Sequence, residues 1–449
     1  MRLWKVKKRS WKNATRIGRS FLITTRSPGG GRGPVTGPGS GVGAGSAAGS
    51  SPGINPHSRP HPVLTALPVR LDDPGAILDD LEAAIAGQAH YLPVPADDRA
   101  RAQLLYSSQR VGQPIDPDIA LVVPTSGSTG TPKGAQLTAA NLVASADATH
   151  QALGGPGHWL LALPAYHIAG IQVLVRSLVA GVDPVCLDLS HGFRIPEFAA
   201  AAEYLDHARD GKRPGSREPM YTALTPMQLD KAVDTLEGIT ALRRFDAILI
   251  GGAALNPQLA ESARKLGINL VTTYGSAETA GGCIYDGRPL ACSSVAVESG
   301  RIMLGGATIA AGYRNMPGHE AFAHPDWPGW FATSDGGRIT DGRLEVTGRL
   351  DAVITTGGLK VHPEVIENEL LAVPGVTGAC VVGVEDRRFG QAIMAAYEGT
   401  AEVGDIFDAL YELPRWQLPK ELLRVEELPR TSLGKLHRDG VAELFRRRG

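Results

Sequence analysis

An α/β fold carrying a second, smaller α+β domain is what the sequence predicts, and three observations predict it. From Val63 onward short apolar runs alternate with helical patterns, the order that builds parallel sheet covered by helices. One of these runs ends in a loop crowded with glycine, hydroxyl and lysine residues, at the strand end where open α/β sheets bind ligands. After about residue 350 the alternation restarts in miniature. The expected organisation is therefore a large domain of sheets flanked by helices over residues 61–350 and a small α+β one over 351–449.

Each element has its own signal. In LDDPGAILDDLEAAIAG an Asp-Asp-Pro start precedes Ile77, Leu78, Leu81 and Ile85 on one helical face. IALVVPT (119–125) is a short, wholly apolar run and reads as a buried strand, followed beyond the loop by the helix LTAANLVASADATHQAL. WLLALP, FDAILIGG, NLVTTYG and RIMLGG are further strands, with helices IPEFAAAAEYLDHA and NPQLAESARKLG between them. In the small domain PEVIENELLAV and VGDIFDALYEL read as helices, GACVVGV and AIMAAYEG as strands. No internal repeat is found.

Residues 1–60 have a different composition. MRLWKVKKRSWKNATRIGRSFLITTR carries only basic charges, and the Gly/Ser/Pro-rich stretch after it has almost no large apolar side chains with which to build a core. A disordered tail is one reading, and contact of the basic stretch with nucleic acid or anionic lipid is the other. FLITT is too short for the apolar region of a secretory signal.

The net charge of −1 gives no global attraction to nucleic acid or membrane. No apolar run reaches the roughly 18 residues of a membrane span. Cys186, Cys283, Cys292 and Cys380 form no metal-ligand spacing. These observations point to a cytoplasmic protein with reduced cysteines, and they leave its oligomeric state open, a homodimer included.

The loop TSGSTGTPKG (125–134) is suited to phosphate. Thr125, Ser126, Ser128, Thr129 and Thr131 offer hydroxyls, Gly127 and Gly130 let backbone N–H groups approach an anion, and Lys133 adds a positive charge. It is not a Walker A loop, because Pro132 precedes the lysine and Gly134 follows it.

TSGSTGTPKG resembles the phosphate loop of the adenylate-forming superfamily, which includes acyl- and aryl-CoA synthetases, peptide-synthetase adenylation domains and luciferase-like enzymes. Further stretches match that family in order. They are LPAYHIAG (163–170), GGAAL (251–255), TYGSAET (273–279), TSDGG (333–337), GRLDAVITTGGLKVHPEVIE (348–367) and PRTSLGKLHR (429–438).

The resemblance implies a reaction in two steps. A carboxylate attacks the α-phosphate of ATP to give acyl-AMP and pyrophosphate, and a thiol, commonly that of coenzyme A, then displaces AMP. It also assigns roles. Glu278 would contact Mg²⁺, a hard cation suited to carboxylate oxygen. Lys435, on the small domain, would contact the substrate carboxylate and the ATP phosphate during adenylation, where a compact ammonium on a flexible stem suits a transient role. Asp335 would accept from the ribose hydroxyls and Arg349 would help hold ribose or phosphate. Tyr274 would sit near the adenine, beside Gly251, Gly252 and Ala253, with Gly275 in the same motif. Asp351 would mark the hinge. Lys360 is either a group that faces the site during thioester formation or a surface lysine.

Two positions depart from the pattern. Ala277 stands where the family often has a hydroxyl on the α-phosphate, a loss of roughly 1.5–3 kcal/mol if that bond is charge-assisted. Ser334 stands where many members have glycine. Neither change removes a charged catalytic residue.

A narrower resemblance, carried by LPAYHIAGIQVLVRSLVAG, TYGSAETAGGCIYDGRPL and TTGGLKVHPEVIE, is to the short actinobacterial-type o-succinylbenzoate–CoA ligases of menaquinone synthesis. It implies an acyl pocket lined by the His167 segment and by the turn after Glu278, where Gly281 and Gly282 either leave room for a flat ring or serve a tight turn. The substrate is a dianion and needs a second cation. Arg176, nine residues after His167, is a candidate, with a snorkelling surface arginine as the alternative.

Three other readings compete with this one. A ligase for another aryl or fatty acid would show a long apolar tunnel. A peptide-synthetase adenylation module would bring a carrier domain, which this sequence lacks. A non-catalytic nucleotide-binding relative would have lost Lys435 or Glu278, and both are present.

Overall fold

The computed structural model describes residues 61–125, 131–209, 217–430 and 436–448. The tail expectation for residues 1–60, the phosphate-loop residues Ser126, Gly127, Ser128, Thr129 and Gly130, and Lys435 lie outside the described residues.

Four sheets organise the chain from Pro62 onward. The first holds β1 (Thr65–Val69), β2 (Tyr91–Pro95), β3 (Ile119–Pro124) and β4 (Gly134–Thr138) in that order, parallel except for the antiparallel β3–β4 pair. All six residues of β3 are buried, as its unbroken apolar run demands of a strand covered on both faces. Its last residue, Pro124, pairs with Gly134, so the hairpin closes the phosphate loop at its base. Pro93 and Pro95 argue against a central position for β2. The strand accommodates them because its pairing with β3 is confined to Tyr91 and Leu121.

The second sheet contains β5 (His158–Leu161), β6 (Val185–Cys186), β7 (Met220–Leu224), β8 (Ala247–Ile250), β9 (Leu270–Ser276), β10 (Gly281–Tyr285) and β11 (Arg288–Pro289). Its order is β11-β10-β9-β8-β7-β5-β6. The β6-to-β9 half is parallel, and β10 and β11 turn back antiparallel. A meander of β12 (Ser293–Glu298), β13 (Arg301–Gly306), β14 (Phe331–Thr340) and β15 (Arg343–Arg349) forms the third. The fourth joins β16 (Ile354–Thr356), β17 (Leu359–Val361), β18 (Val376–Asp386), β19 (Gly390–Gly399) and β20 (Glu421–Arg424).

The hydrophobic cores form six clusters. Four clusters draw only on residues before 350, and two only on residues after it. The helix expected over VGDIFDALYEL runs from Val403 to Ala409 and tightens to a 3₁₀ turn over Leu410–Glu412. Among the described residues no helix is long and apolar enough to cross a membrane.

Candidate active site

A cleft of about 2370 Å³ is lined by residues of the first three sheets and by both strands and helices after residue 350. Thr125, Lys133, His167, Arg176, Gly251, Gly252, Ala253, Tyr274, Gly275, Glu278, Gly281, Gly282, Asp335, Arg349 and Asp351 all line it. Thr131 is exposed on the loop. Lys360 is exposed on β17 and lies off the cleft in this domain arrangement. Ser334, one of the two departures, also lines it, beside the aspartate.

Parallel β9 delivers TYGSAET to the cleft through its carboxyl end. Two glycines there are required by geometry. A Cβ on Gly275 would lie 2.2 Å from the Gly281 carbonyl oxygen, and Gly281 itself adopts φ +99° at the turn. The tight turn is thus a sufficient reason for Gly281. Glu278, in the 3₁₀ turn Ala277–Thr279, is 7% exposed. Its Oε1 accepts from the Tyr313 hydroxyl at 2.7 Å, and no arginine or lysine pairs with it among the described residues. Burial and then the Glu278 charge push the Tyr313 phenol up, so it remains a donor. A buried carboxylate with no cation partner is a donor set that fits Mg²⁺.

Sheet register assembles a second group. Asp335 on β14 and Arg349 on β15 are cross-strand partners, with Arg349 Nη1 3.8 Å from Asp335 Oδ1. The Tyr274 hydroxyl donates to Asp335 Oδ2 at 2.8 Å. Arg349 also grips Asp351, its Nε lying 2.7 Å from Oδ1. That hydrogen bond is the largest cause holding the guanidinium above its ordinary range. Asp351 lies in the 3₁₀ turn Leu350–Ala352 that joins β15 to β16.

The third group is buried deepest. His167 precedes the helix Ile168–Ala180 at its N-cap position and is 8% exposed, its ring centroid 4.6 Å from that of Tyr166. Two turns along that helix, Arg176 is 3% exposed, which excludes a snorkelling surface arginine. The guanidinium stacks 5.0 Å from the Trp159 ring centroid and reaches the Tyr285 hydroxyl at 3.4 Å. That hydroxyl is 2.9 Å from Thr149 Oγ1. Arg176 Nε and His150 Nε2 have no hydrogen-bond partner among the described residues, and no carboxylate there pairs with Arg176. Burial, then the Arg176 charge, lowers the His150 pKa to about 4, so this imidazole is neutral near pH 7.

The segment Gly312–Phe322 carried no signal in the sequence, yet it frames the lysine end of the phosphate loop. Asn315 Nδ2 donates to Pro132 O at 2.9 Å, and its Oδ1 accepts from Gly134 N–H at 3.2 Å. Lys133 Nζ lies 3.1 Å from His319 Nε2 and 5.1 Å from the Tyr313 ring centroid. These contacts join residues 180 or more positions apart, beyond the reach of local pattern.

Other chemistry-bearing groups are accounted for structurally. Burial raises the Cys186, Cys283 and Cys380 thiols to about 12, so they stay protonated. Glu298, His324 and Asp326 cluster off the cleft, with His324 Nε2 3.1 Å from Glu298 Oε2 and Trp327 Nε1 donating to Glu298 Oε1 at 3.1 Å.

The AMP-binding enzyme family matches residues 72–313, more than half of the chain, and the AMP-binding enzyme C-terminal domain matches 365–435. The chain belongs to the AMP-binding enzymes. It is an ATP-using, adenylate-forming acid–CoA ligase, with the large N-terminal and small C-terminal domain of that fold. A probable 2-succinylbenzoate–CoA ligase of Mycobacterium tuberculosis is 44% identical over 355 residues, which are 76% of this chain and 88% of the relative. Among solved structures, the o-succinylbenzoate CoA synthetase of Bacillus subtilis in complex with its acyl-adenylate intermediate is similar at TM-score 0.71 and 22% identity, covering 86% of this chain and 89% of that one. The same Bacillus enzyme with ATP and magnesium is similar at TM-score 0.70 and 22% identity, covering 85% and 90%. At these identities the solved structures speak for the fold.

Proposed function

We propose that this ligase acts on o-succinylbenzoate, joining it to coenzyme A through an acyl-adenylate, as a step of menaquinone synthesis in the cytoplasm. The observation that carries the reading is Arg176. A guanidinium buried without a carboxylate costs several kcal/mol in desolvation, which only a charge-paired and hydrogen-bonded partner offsets. It lines the same cleft as Glu278 and Lys133, and its Nε has no hydrogen-bond partner among the described residues. A substrate with two carboxylates would use one for adenylation and the other to pair with Arg176. A fatty or simple aryl acid would leave the arginine unpaired.

The other groups take roles consistent with this. The stretch Thr125–Gly134 would hold the ATP phosphates, and Asp335, steadied by Tyr274 and Arg349, the ribose. Gly251, Gly252 and Ala253 would border the adenine. Glu278 would hold Mg²⁺, which when bound neutralises phosphate charge. Lys435 would bridge the reacting carboxylate and the α-phosphate. Rotation about Asp351, at the boundary between domains 61–350 and 351–449, would withdraw it before the thiol enters and bring Lys360 toward the cleft.

The test is turnover of ATP and coenzyme A with o-succinylbenzoate, benzoate, a fatty acid and a 2-oxo acid, with the product identified by mass. Thioester from o-succinylbenzoate alone is the expected result. Preferred turnover of a monocarboxylate would overturn the assignment and leave the adenylation chemistry standing.

A further inference from the structure

We propose that His319 is a phosphate-binding residue of this enzyme, forming with Lys133 a two-donor clamp for the β- and γ-phosphate oxygens of ATP and for the departing pyrophosphate. The inference rests on the reading that the Lys133 end of the loop faces the ATP phosphates.

The argument begins with one proton. His319 caps the short turn Glu320–Phe322, and its Nδ1 accepts from the Ala321 N–H at 3.1 Å. An accepting Nδ1 carries no hydrogen, so the proton of the neutral ring is on Nε2. That nitrogen lies 3.1 Å from Lys133 Nζ, which as an ammonium has only donors to offer. Two N–H donors therefore face one another with no acceptor between them among the described residues. Lys133 has no carboxylate partner there either and rests against the Tyr313 ring. An anion with several oxygens seated at this pair would satisfy both donors at once.

The pair is held in place rather than left to chance. Thr125 N–H donates to the Lys133 carbonyl at 2.7 Å and Arg314 N–H to the Gly134 carbonyl at 2.8 Å, while Asn315 bonds on both sides of Lys133. His319 is in edge contact with Tyr313, centroids 5.1 Å apart, and Tyr313 holds Glu278. Both His319 and Lys133 line the cleft. The clamp thus sits beside the carboxylate proposed for Mg²⁺, the place where β- and γ-phosphates and metal must meet. Burial and the Lys133 charge keep the His319 ring toward its neutral form, in keeping with a hydrogen-bond donor rather than a second fixed cation.

AMP lacks the groups the clamp would hold, and this provides the test. Binding of ATP, pyrophosphate and AMP is measured by calorimetry with Mg²⁺ on the full chain and on His319→Ala, His319→Gln and Lys133→Ala, with thermal melts confirming folding. For His319→Ala, ATP and pyrophosphate are expected to bind about tenfold more weakly, the loss of one charge-assisted hydrogen bond, with AMP unchanged. His319→Gln, which retains an N–H donor, should recover part of the loss. Equal weakening of ATP and AMP would make His319 a structural residue and overturn the proposal. So would unchanged ATP and pyrophosphate affinity in His319→Ala while Lys133→Ala binds them weakly. Unchanged affinity in Lys133→Ala would instead remove the phosphate reading on which the inference depends.

Discussion

Replacing Arg176 with leucine should cut activity sharply while leaving stability nearly unchanged or higher. On the proposed reading, the guanidinium would pair with a carboxylate of bound o-succinylbenzoate, in a site where Arg176 is 3% exposed. Removing one partner of a buried charge pair costs about 3–5 kcal/mol, because the remaining charge keeps its desolvation penalty. At 1.4 kcal/mol per tenfold, kcat/KM for o-succinylbenzoate should fall by roughly 10²- to 4 × 10³-fold. In the free enzyme the same arginine is buried with no carboxylate partner among the described residues, and even buried ion pairs are replaced by apolar groups at no cost or with a gain of about 1–4 kcal/mol. Loss of the stack on Trp159, worth about 0.5–2 kcal/mol, offsets part or all of that gain, so the net change in stability should be small. The assay pairs steady-state kinetics on o-succinylbenzoate and on an analogue lacking the distal carboxylate with denaturant unfolding of the unliganded protein. The analogue should be turned over equally by wild type and variant. If the variant loses several kcal/mol of stability, or loses the same factor on both acids, Arg176 is a structural residue and the substrate argument fails.

Lys435→Ala should nearly abolish adenylation while thioester formation from supplied acyl-AMP survives; an equal fall in both half-reactions would reject its assigned role. Ala277→Ser should keep or raise turnover by restoring a hydroxyl, whereas Ala277→Thr, adding a methyl group as well at a residue packed in the main core, should lose about 1–3 kcal/mol of stability by crowding; unfolding curves and turnover of both variants decide it. The folded His150 pKa of about 4 lies below the unfolded value near 6.5, so the unfolded chain binds more protons between them. This contribution to stability is complete above pH 6.5 and is lost as pH falls toward 4, about 3 kcal/mol in all. His150→Phe should therefore flatten the acid limb of a stability–pH profile, and identical slopes would show that another group governs it.

The sequence alone specified the elements whose signals are local. The buried run of β3 and the helix Ile195–Ala208 follow from composition and period, because burial on one or both faces writes itself into every second or every third and fourth residue. It also specified the ordered motifs, and with them the candidates Glu278, Asp335, Arg349 and Asp351. Tertiary structure decided what those residues do to one another. Asp335 and Arg349 are fourteen positions apart in sequence and become partners only through the register of β14 and β15. The two readings of Arg176 were indistinguishable in an apolar helix, since a stem that snorkels and one that is buried share the same neighbours in sequence. Only the packing of Trp159 and Tyr285 against it separates them. His319 had no local pattern at all, and its meaning comes from one contact with Lys133 across 186 residues. A side chain's burial and its hydrogen-bond partners are set by what the rest of the chain brings to it, and that information is long-range.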